Sequence, residues 1–148
     1  MAATSTLFML DTNVLLACIR GGKLGKHIRA NYPFDHAGFD ALICVVSVGE
    51  ILSLSKKFAW GEKPNSAMQE LLDSLVTIDI NAKSVLEAYA TIDHFSESKG
   101  RRMGKNDVWI AAAANVSGAT LLTTDSDFDH LEAASLVSVA KINPAMGK

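Results

Sequence analysis

A chain of 148 residues, 49% hydrophobic and 20% charged, can bury a core as one domain over residues 1-148 without disulfide or metal staples. Its net charge of -2 excludes a generally basic, nucleic-acid-coating protein, so any contact with nucleic acid must come from a local patch. The apolar runs are far too short for a membrane span, and the first residues lack the basic start of a signal peptide, which predicts a cytoplasmic protein with no membrane association.

Thr6 to Leu10 predicts a first strand, followed by a turn at Asp11-Thr12-Asn13 and a helix over VLLACIR that Gly21 and Gly22 end or interrupt. A second helical stretch is expected from Lys23 to about Ala30. Tyr32 to Asp40, with one proline, one glycine and three aromatic residues, is expected to be a structured loop. The continuous apolar run Leu42 to Val46 suits a strand buried on both faces. Ser47 is then expected to cap a helix carrying Glu50, Ile51, Leu52 and Leu54. Pro64 is expected to start another, with Met68, Leu71, Leu72 and Leu75 at three-to-four-residue spacing.

Val76 to Ile80 predicts a third strand, and Asn81 to about Phe95 a long amphipathic helix. Ser96 to Gly104 is a basic, glycine-flanked loop. The helix from Asp107 to Val116 is almost wholly apolar, which places it in the core with Trp109, and Gly118 is its natural stop. Ala119 to Thr123 and Leu136 to Ala140 complete the set of strands. Strands alternating with helices predict an α/β fold, with a mostly parallel sheet of about five strands covered on both faces. Cys18 and Cys44 lie inside apolar runs and read as buried, reduced thiols.

Four acids fall at element boundaries. Asp11 follows the first strand, Glu50 lies on the first turn of the helix after the second, and Asp107 opens the apolar helix. Asp125 comes one residue beyond Thr123-Thr124 at the end of the fourth strand. In a parallel sheet, ligands bind outside the carboxyl ends of the strands, and a helix running back across the sheet also begins at that rim. All four acids can therefore reach one cleft. Converging carboxylates repel one another, and the usual compensation is a divalent cation, which points to metal-dependent phosphodiester chemistry. Each acid also has a plainer reading. Asp107 or Asp11 could cap a helix, Asp125 could start a turn with Ser126-Asp127, and Glu50 could sit on a solvated helix face.

These residues, in this order, resemble the motifs of PIN-domain nucleases, most closely the VapC-like toxin ribonucleases of type II toxin–antitoxin systems. MLDTNVLL at Met9 to Leu16 is similar to the first motif and VSVGEILSL at Val46 to Leu54 to the second. MGKNDVWIAAAA at Met103 to Ala114 is similar to the third and LLTTDSDF at Leu121 to Phe128 to the fourth. They supply Asp11, Glu50, Asp107 and Asp125, and the match spans nearly the whole chain. The resemblance implies a three-layer α/β/α fold, Mg2+ or Mn2+ dependence, and single-stranded RNA as the substrate class. It further implies cleavage to 5'-phosphate and 3'-hydroxyl ends, a small antitoxin partner and a homodimer. The Tyr32 to Asp40 segment looks long for a compact member.

Within that reading Asp11 and Asp107 are expected to bind metal directly. Glu50 and Asp125 would bind directly, through water or at a second metal, and one of them would orient or deprotonate the attacking water. Thr12, Asn13 and Thr123 are expected to hold the carboxylates by hydrogen bonds, with Asp127 as an outer group or a turn residue. Lys99, Arg101, Arg102 and Lys105, just before Asp107, are the first candidates for RNA phosphates, and Lys56 and Lys57 the second; solvated loop charge is the plainer alternative. Phe34, Phe39, Phe58 and Trp60 divide between the core and a dimer or antitoxin surface. The histidines at 27, 36, 94 and 130 show no zinc-ligand spacing.

Rival readings remain at this point. An aspartyl phosphatase would want an acid where Asn13 stands, and a nucleotide-binding module would want a GxxxxGK[ST] or GxGxxG after a strand, which this chain lacks. A housekeeping PIN-domain RNase and a catalytically silent PIN-like interaction module are both compatible with the same acids.

Overall fold

In the computed structural model, which describes residues 6–34 and 39–147, five strands form one sheet. They are β1 (Thr6–Leu10), β2 (Phe39–Cys44), β3 (Val76–Ile78), β4 (Thr120–Thr123) and β5 (Ser138–Lys141). Their order is β3-β2-β1-β4-β5, and every pairing is parallel. The helices are α1 (Thr12–Arg20), α2 (Lys23–Asn31), α3 (Val45–Lys57), α4 (Glu62–Ser74), α5 (Lys83–Ser98), α6 (Lys105–Ser117) and α7 (Asp129–Ala133). The expected mixed α/β fold with a parallel sheet is what the chain adopts, and the parallelism is complete.

Strand β1 lies at the centre, and its alternating side chains divide the interior in two, as the two-residue period of a strand requires. Phe8 and Leu10 face one cluster with Val14, Leu15, Ile28, Ile51 and Leu71, from α1 to α4. Met9 faces the other, with Ile92 of α5, Val108 to Ala114 of α6 and Leu131 of α7. Helices thus cover both faces. α6 packs against the sheet and α5 at once, which explains a helix with almost no polar side: Ile110 and Ala111 to Ala114 are all buried. Gly118 closes α6 in the left-handed conformation at φ 69°, which is why a glycine stands there. Helices α1 and α2 meet so closely that a Cβ on Gly25 would lie 2.4 Å from the Ala17 carbonyl oxygen.

Several boundaries differ from expectation, for local reasons. β2 ends at Cys44, so Val45 and Val46 open α3, and Ser47 is a buried residue of its first turn instead of its cap. An apolar run has no period of its own, so the strand-to-helix change inside it carries no signal. α4 begins two residues before Pro64, which occupies the first turn, where its missing N–H costs nothing. β3 stops at Ile78, and α5 extends to Ser98, making helix of the first residues of the expected basic loop. The short α7 was not expected. Within Tyr32 to Asp40, Phe39 and Asp40 belong to β2, while residues 35–38, including His36, lie outside the described residues.

Phe34 is core, Trp60 packs against the core, and Phe58 is 63% exposed. Trp109 is only half-buried, with its ring centroid 4.0 Å from that of Tyr89. Both cysteines are buried free thiols. Among the described residues, no helix is long and apolar enough to cross a membrane.

Candidate active site

The β1–β4 pair carries the site one residue beyond its hydrogen-bonded ladder. Asp11 donates its backbone N–H to the Leu122 carbonyl at 3.0 Å, so the chain leaves the sheet only after the acid has been positioned. Its side chain caps α1, with Oδ1 accepting from the Thr12 N–H at 2.8 Å. Oδ2 accepts from the Thr123 hydroxyl at 2.7 Å. The plainer reading of Asp11 as a cap is therefore true, and the expected turn is the first turn of α1. Asp11 is only 4% exposed, and burial raises its pKa. The Thr123 and Thr12 bonds oppose that rise, and the charges of Asp125 and Glu50 add to it.

The buried Thr123 ties two acids together, because its oxygen also accepts the Asp125 backbone N–H at 3.0 Å. Asn13 Oδ1 lies 3.4 Å from the Thr124 N–H, a long contact between the start of α1 and the residue after β4. The Thr12 hydroxyl donates to Glu50 Oε1 at 2.8 Å and stands 2.9 Å from the buried Ser47 Oγ. The displacement of Ser47 into the first turn of α3 thus puts a hydroxyl beneath the Thr12–Glu50 bond.

Asp107 enters from the other side. Gly104 is the N-cap of α6 and Asp107 lies in its first turn, so the reading of Asp107 as a cap is incorrect. Burial raises its pKa most, followed by the charges of Asp11, Asp125, Asp127 and Glu50, to about 7. Asp11, Glu50 and Asp125 therefore all act on Asp107, and Glu50 and Asp125 also act on Asp11. Carboxylate oxygens of Asp107, Asp125 and Asp127 lie within 4.8 Å of one another. Asp127, expected as an outer group or turn residue, does form an Asx turn, its N–H donating to Asp125 Oδ1 at 3.1 Å. It also completes that carboxylate trio, and burial and Asp125 raise its pKa. Hard oxygen donors crowded by like charge fit a small divalent cation such as Mg2+ or Mn2+.

The four cations before Asp107 do not form one patch. Lys105 begins α6 and pairs with Asp93 at 3.2 Å, and the Asp93 bond raises its pKa. Arg102 lines the same shallow cleft as Asp93, Glu97 and Lys105. Lys99 and Arg101 line a different one. Lys57, of the second candidate pair, lies in a cleft of about 420 Å³ with Glu50, Ser53 and Asn106. Ser53 and Asn106 were not singled out in the sequence. A signal existed: Glu50, Ser53 and Lys57 sit at i, i+3 and i+7 on one face of α3, and Asn106 directly precedes Asp107.

Comparison with known proteins identifies the family and relatives of the same fold. The family model of the PIN domain matches residues 8–134. Ribonuclease VapC5 of Mycobacterium tuberculosis is 26% identical over 142 residues, covering 96% of this chain and all of its own length. Ribonuclease VapC2 of Haemophilus influenzae is 27% identical over 120 residues, covering 80% of this chain and 86% of its own. Among solved structures, VapBC2 from Rickettsia felis, bound to a DNA fragment from its promoter, superposes with a TM-score of 0.76. It is 21% identical and covers 92% of this chain and 98% of its own.

Proposed function

The chain belongs to the PIN domain family, and from that premise we propose that it is a divalent-cation-dependent endoribonuclease, the toxin of a toxin–antitoxin pair. The substrate class is single-stranded RNA, cut by hydrolysis to 5'-phosphate and 3'-hydroxyl ends. One observation carries the reading: acids from four separate segments gather at one rim, where burial first, and then the charges of Asp11, Asp125, Asp127 and Glu50, raise the Asp107 pKa to about 7. Carboxylates whose pKa values are raised by burial and by one another cluster at functional sites. The names of the relatives, two of them ribonucleases, favour the same chemistry.

Asp11, Asp107, Asp125 and Glu50, with Asp127 beside them, would hold Mg2+ or Mn2+. When bound, the cation would make water acidic enough to attack at neutral pH and offset charge building on the phosphate. The protein's own groups do the rest. Thr123 fixes Asp11, and Thr12 fixes Glu50 through Oε1. That leaves Glu50 Oε2 to accept the proton of the attacking water. Lys57 and Asn106, in the cleft with Glu50, would meet the phosphate.

An antitoxin partner and a homodimer are part of the same proposal, the first supported by solved neighbours that are toxin–antitoxin complexes. The test is cleavage of a labelled single-stranded RNA with Mg2+ or Mn2+, with a chelator control and the Asp11→Asn variant. Undiminished cleavage in chelator, or full activity in Asp11→Asn, would refute the reading. Growth arrest on expression, relieved by the product of a neighbouring gene, tests the toxin role.

A further inference from the structure

Beside the acids lies a second cleft of about 510 Å³, lined by Phe95, Lys99, Arg101, His130, Ala133 and Ala134. The end of α5, the loop into α6 and the short α7 build it. Its two rings are within 4° of parallel, with centroids 6.1 Å apart. The imidazole is anchored, because Ser96 Oγ, on a residue only 1% exposed, lies 2.8 Å from His130 Nε2. Burial and the neighbouring Arg101 lower the His130 pKa, against the opposing charges of Asp127 and Asp129. The Lys99 ammonium stands 5.7 Å from the Phe95 centroid. Ala133 and Ala134 are exposed and small, so the mouth stays open. Asp127, a member of the carboxylate trio, acts on His130, which makes this cleft the neighbour of the acidic one.

We propose that this cleft is a subsite for one unstacked nucleobase of the RNA strand, flanking the cut, with Lys99 and Arg101 holding the phosphate of that nucleotide. The inference rests on the ribonuclease reading and gives its single-strand preference a physical source. Every base has a π-face that can lie against parallel rings, whereas a base inside a duplex is already stacked and cannot enter. His130 Nε2 is committed to Ser96, so the ring offers a base its face and Nδ1, and stacking dominates the contact. Binding here should therefore tolerate sequence and demand a base.

The test walks a single abasic ribose along a short single-stranded RNA. For each oligonucleotide, kcat/KM is measured with wild type, His130→Gln, Phe95→Leu and Ala134→Phe. The last fills the cleft from an exposed position and leaves the core untouched, so it serves if the other two fail to fold. Wild type should lose about tenfold at one abasic position flanking the cut. Each variant should cut intact RNA about tenfold more slowly and lose the distinction at that position. Variants that discriminate as wild type does would overturn the subsite. The same oligonucleotides are titrated by fluorescence anisotropy into metal-free Asp11→Asn protein, where the abasic penalty should persist. Absence of cleavage by wild type sinks the ribonuclease reading, and the anisotropy series still decides the subsite, since equal binding of intact and abasic RNA would overturn it.

Discussion

Leu10 and Asp11 are neighbours in the chain, as are Leu122 and Thr123, yet each pair straddles two regions under opposite rules. Below the boundary, Leu10 and Leu122 are fully buried on paired strands, and stability comes from apolar area and close packing. Above it, Asp11 and Thr123 are also buried, but they are joined by a hydrogen bond and the carboxylates repel. Among the described residues no buried side-chain polar atom lacks a hydrogen-bond partner. Hydrogen bonds hold both oxygens of Asp11 and one oxygen each of Glu50 and Asp125, yet the rim stays electrostatically unbalanced. Only a cation or a proton can relieve that charge.

The comparison breaks cleanly if each side is altered alone. Asp11→Asn keeps the shape and removes a charge; its oxygen accepts one of the two hydrogen bonds, and its Nδ2 donates to the Thr123 hydroxyl, which turns to accept. RNA cleavage should fall by at least on the order of a hundredfold, the upper range for loss of a mere supporting group at a metal site. Its melting temperature should match wild type or exceed it. Leu122→Ala does the reverse. A cavity in the buried sheet should cost about 2–5 kcal/mol in urea unfolding, whether or not metal is present. A large loss of stability in Asp11→Asn, or a metal-sensitive loss in Leu122→Ala, would erase the boundary between the regions.

The pH dependence sharpens it. Asp107 is raised to about 7, so near neutrality the folded protein holds a proton that the unfolded chain, with an ordinary carboxylate, releases. Without metal, this group's contribution to stability is present at low pH and lost as pH rises from about 4 through about 7. Metal competes for the same oxygen, so cleavage at limiting Mg2+ should fall about tenfold per pH unit below that midpoint. Calorimetry and initial rates on wild type and Asp107→Asn check both signs. A metal-free protein that gains stability across this window because of Asp107 would contradict the rise that burial and the neighbouring charges impose on it.

Thr123→Val tests the seam itself. Asp11 and the Asp125 N–H each lose a partner while the volume is kept. A destabilisation of about 1 kcal/mol is expected from unfolding curves, with a roughly tenfold fall in apparent Mg2+ affinity. A variant that loses stability but binds Mg2+ unchanged would make Thr123 merely structural.

Much of this was legible in the sequence, because strand ends announce themselves. Asp11 follows an apolar run directly, Asp125 follows one after Thr123-Thr124, and Asp107 precedes one, so the parallel sheet alone brings them to one rim. What was hidden depends on the exact phase of a helix or on a partner far along the chain. Ser47 looked like a cap because VVSV does not reveal where β2 stops. Asp127 looked like a turn residue because an Asx turn and a carboxylate trio use the same spacing. Lys99, Arg101, Arg102 and Lys105 looked like one patch because neighbours in a basic loop seem to share a direction. The extension of α5 to Ser98 and the start of α6 at Lys105 send them to different clefts.

That division yields the smallest expected effect. Lys105 belongs by sequence to the basic stretch, but its ammonium is held at 3.2 Å by Asp93, between α5 and α6. A cation already satisfied by a carboxylate presents little net charge to a phosphate, and an exposed pair of this kind adds little to stability. Lys105→Ala should therefore change kcat/KM for single-stranded RNA by no more than about two- to threefold. Its salt dependence should stay as in wild type, whereas removing a lysine that does hold a phosphate lowers the slope by about one. Asp93→Ala makes the converse case: it frees Lys105 and should strengthen RNA binding slightly. If Lys105→Ala instead flattened the salt dependence as strongly as Lys57→Ala, the ion pair with Asp93 would not be neutralising it in solution. The basic stretch would then act as the single patch its sequence suggests.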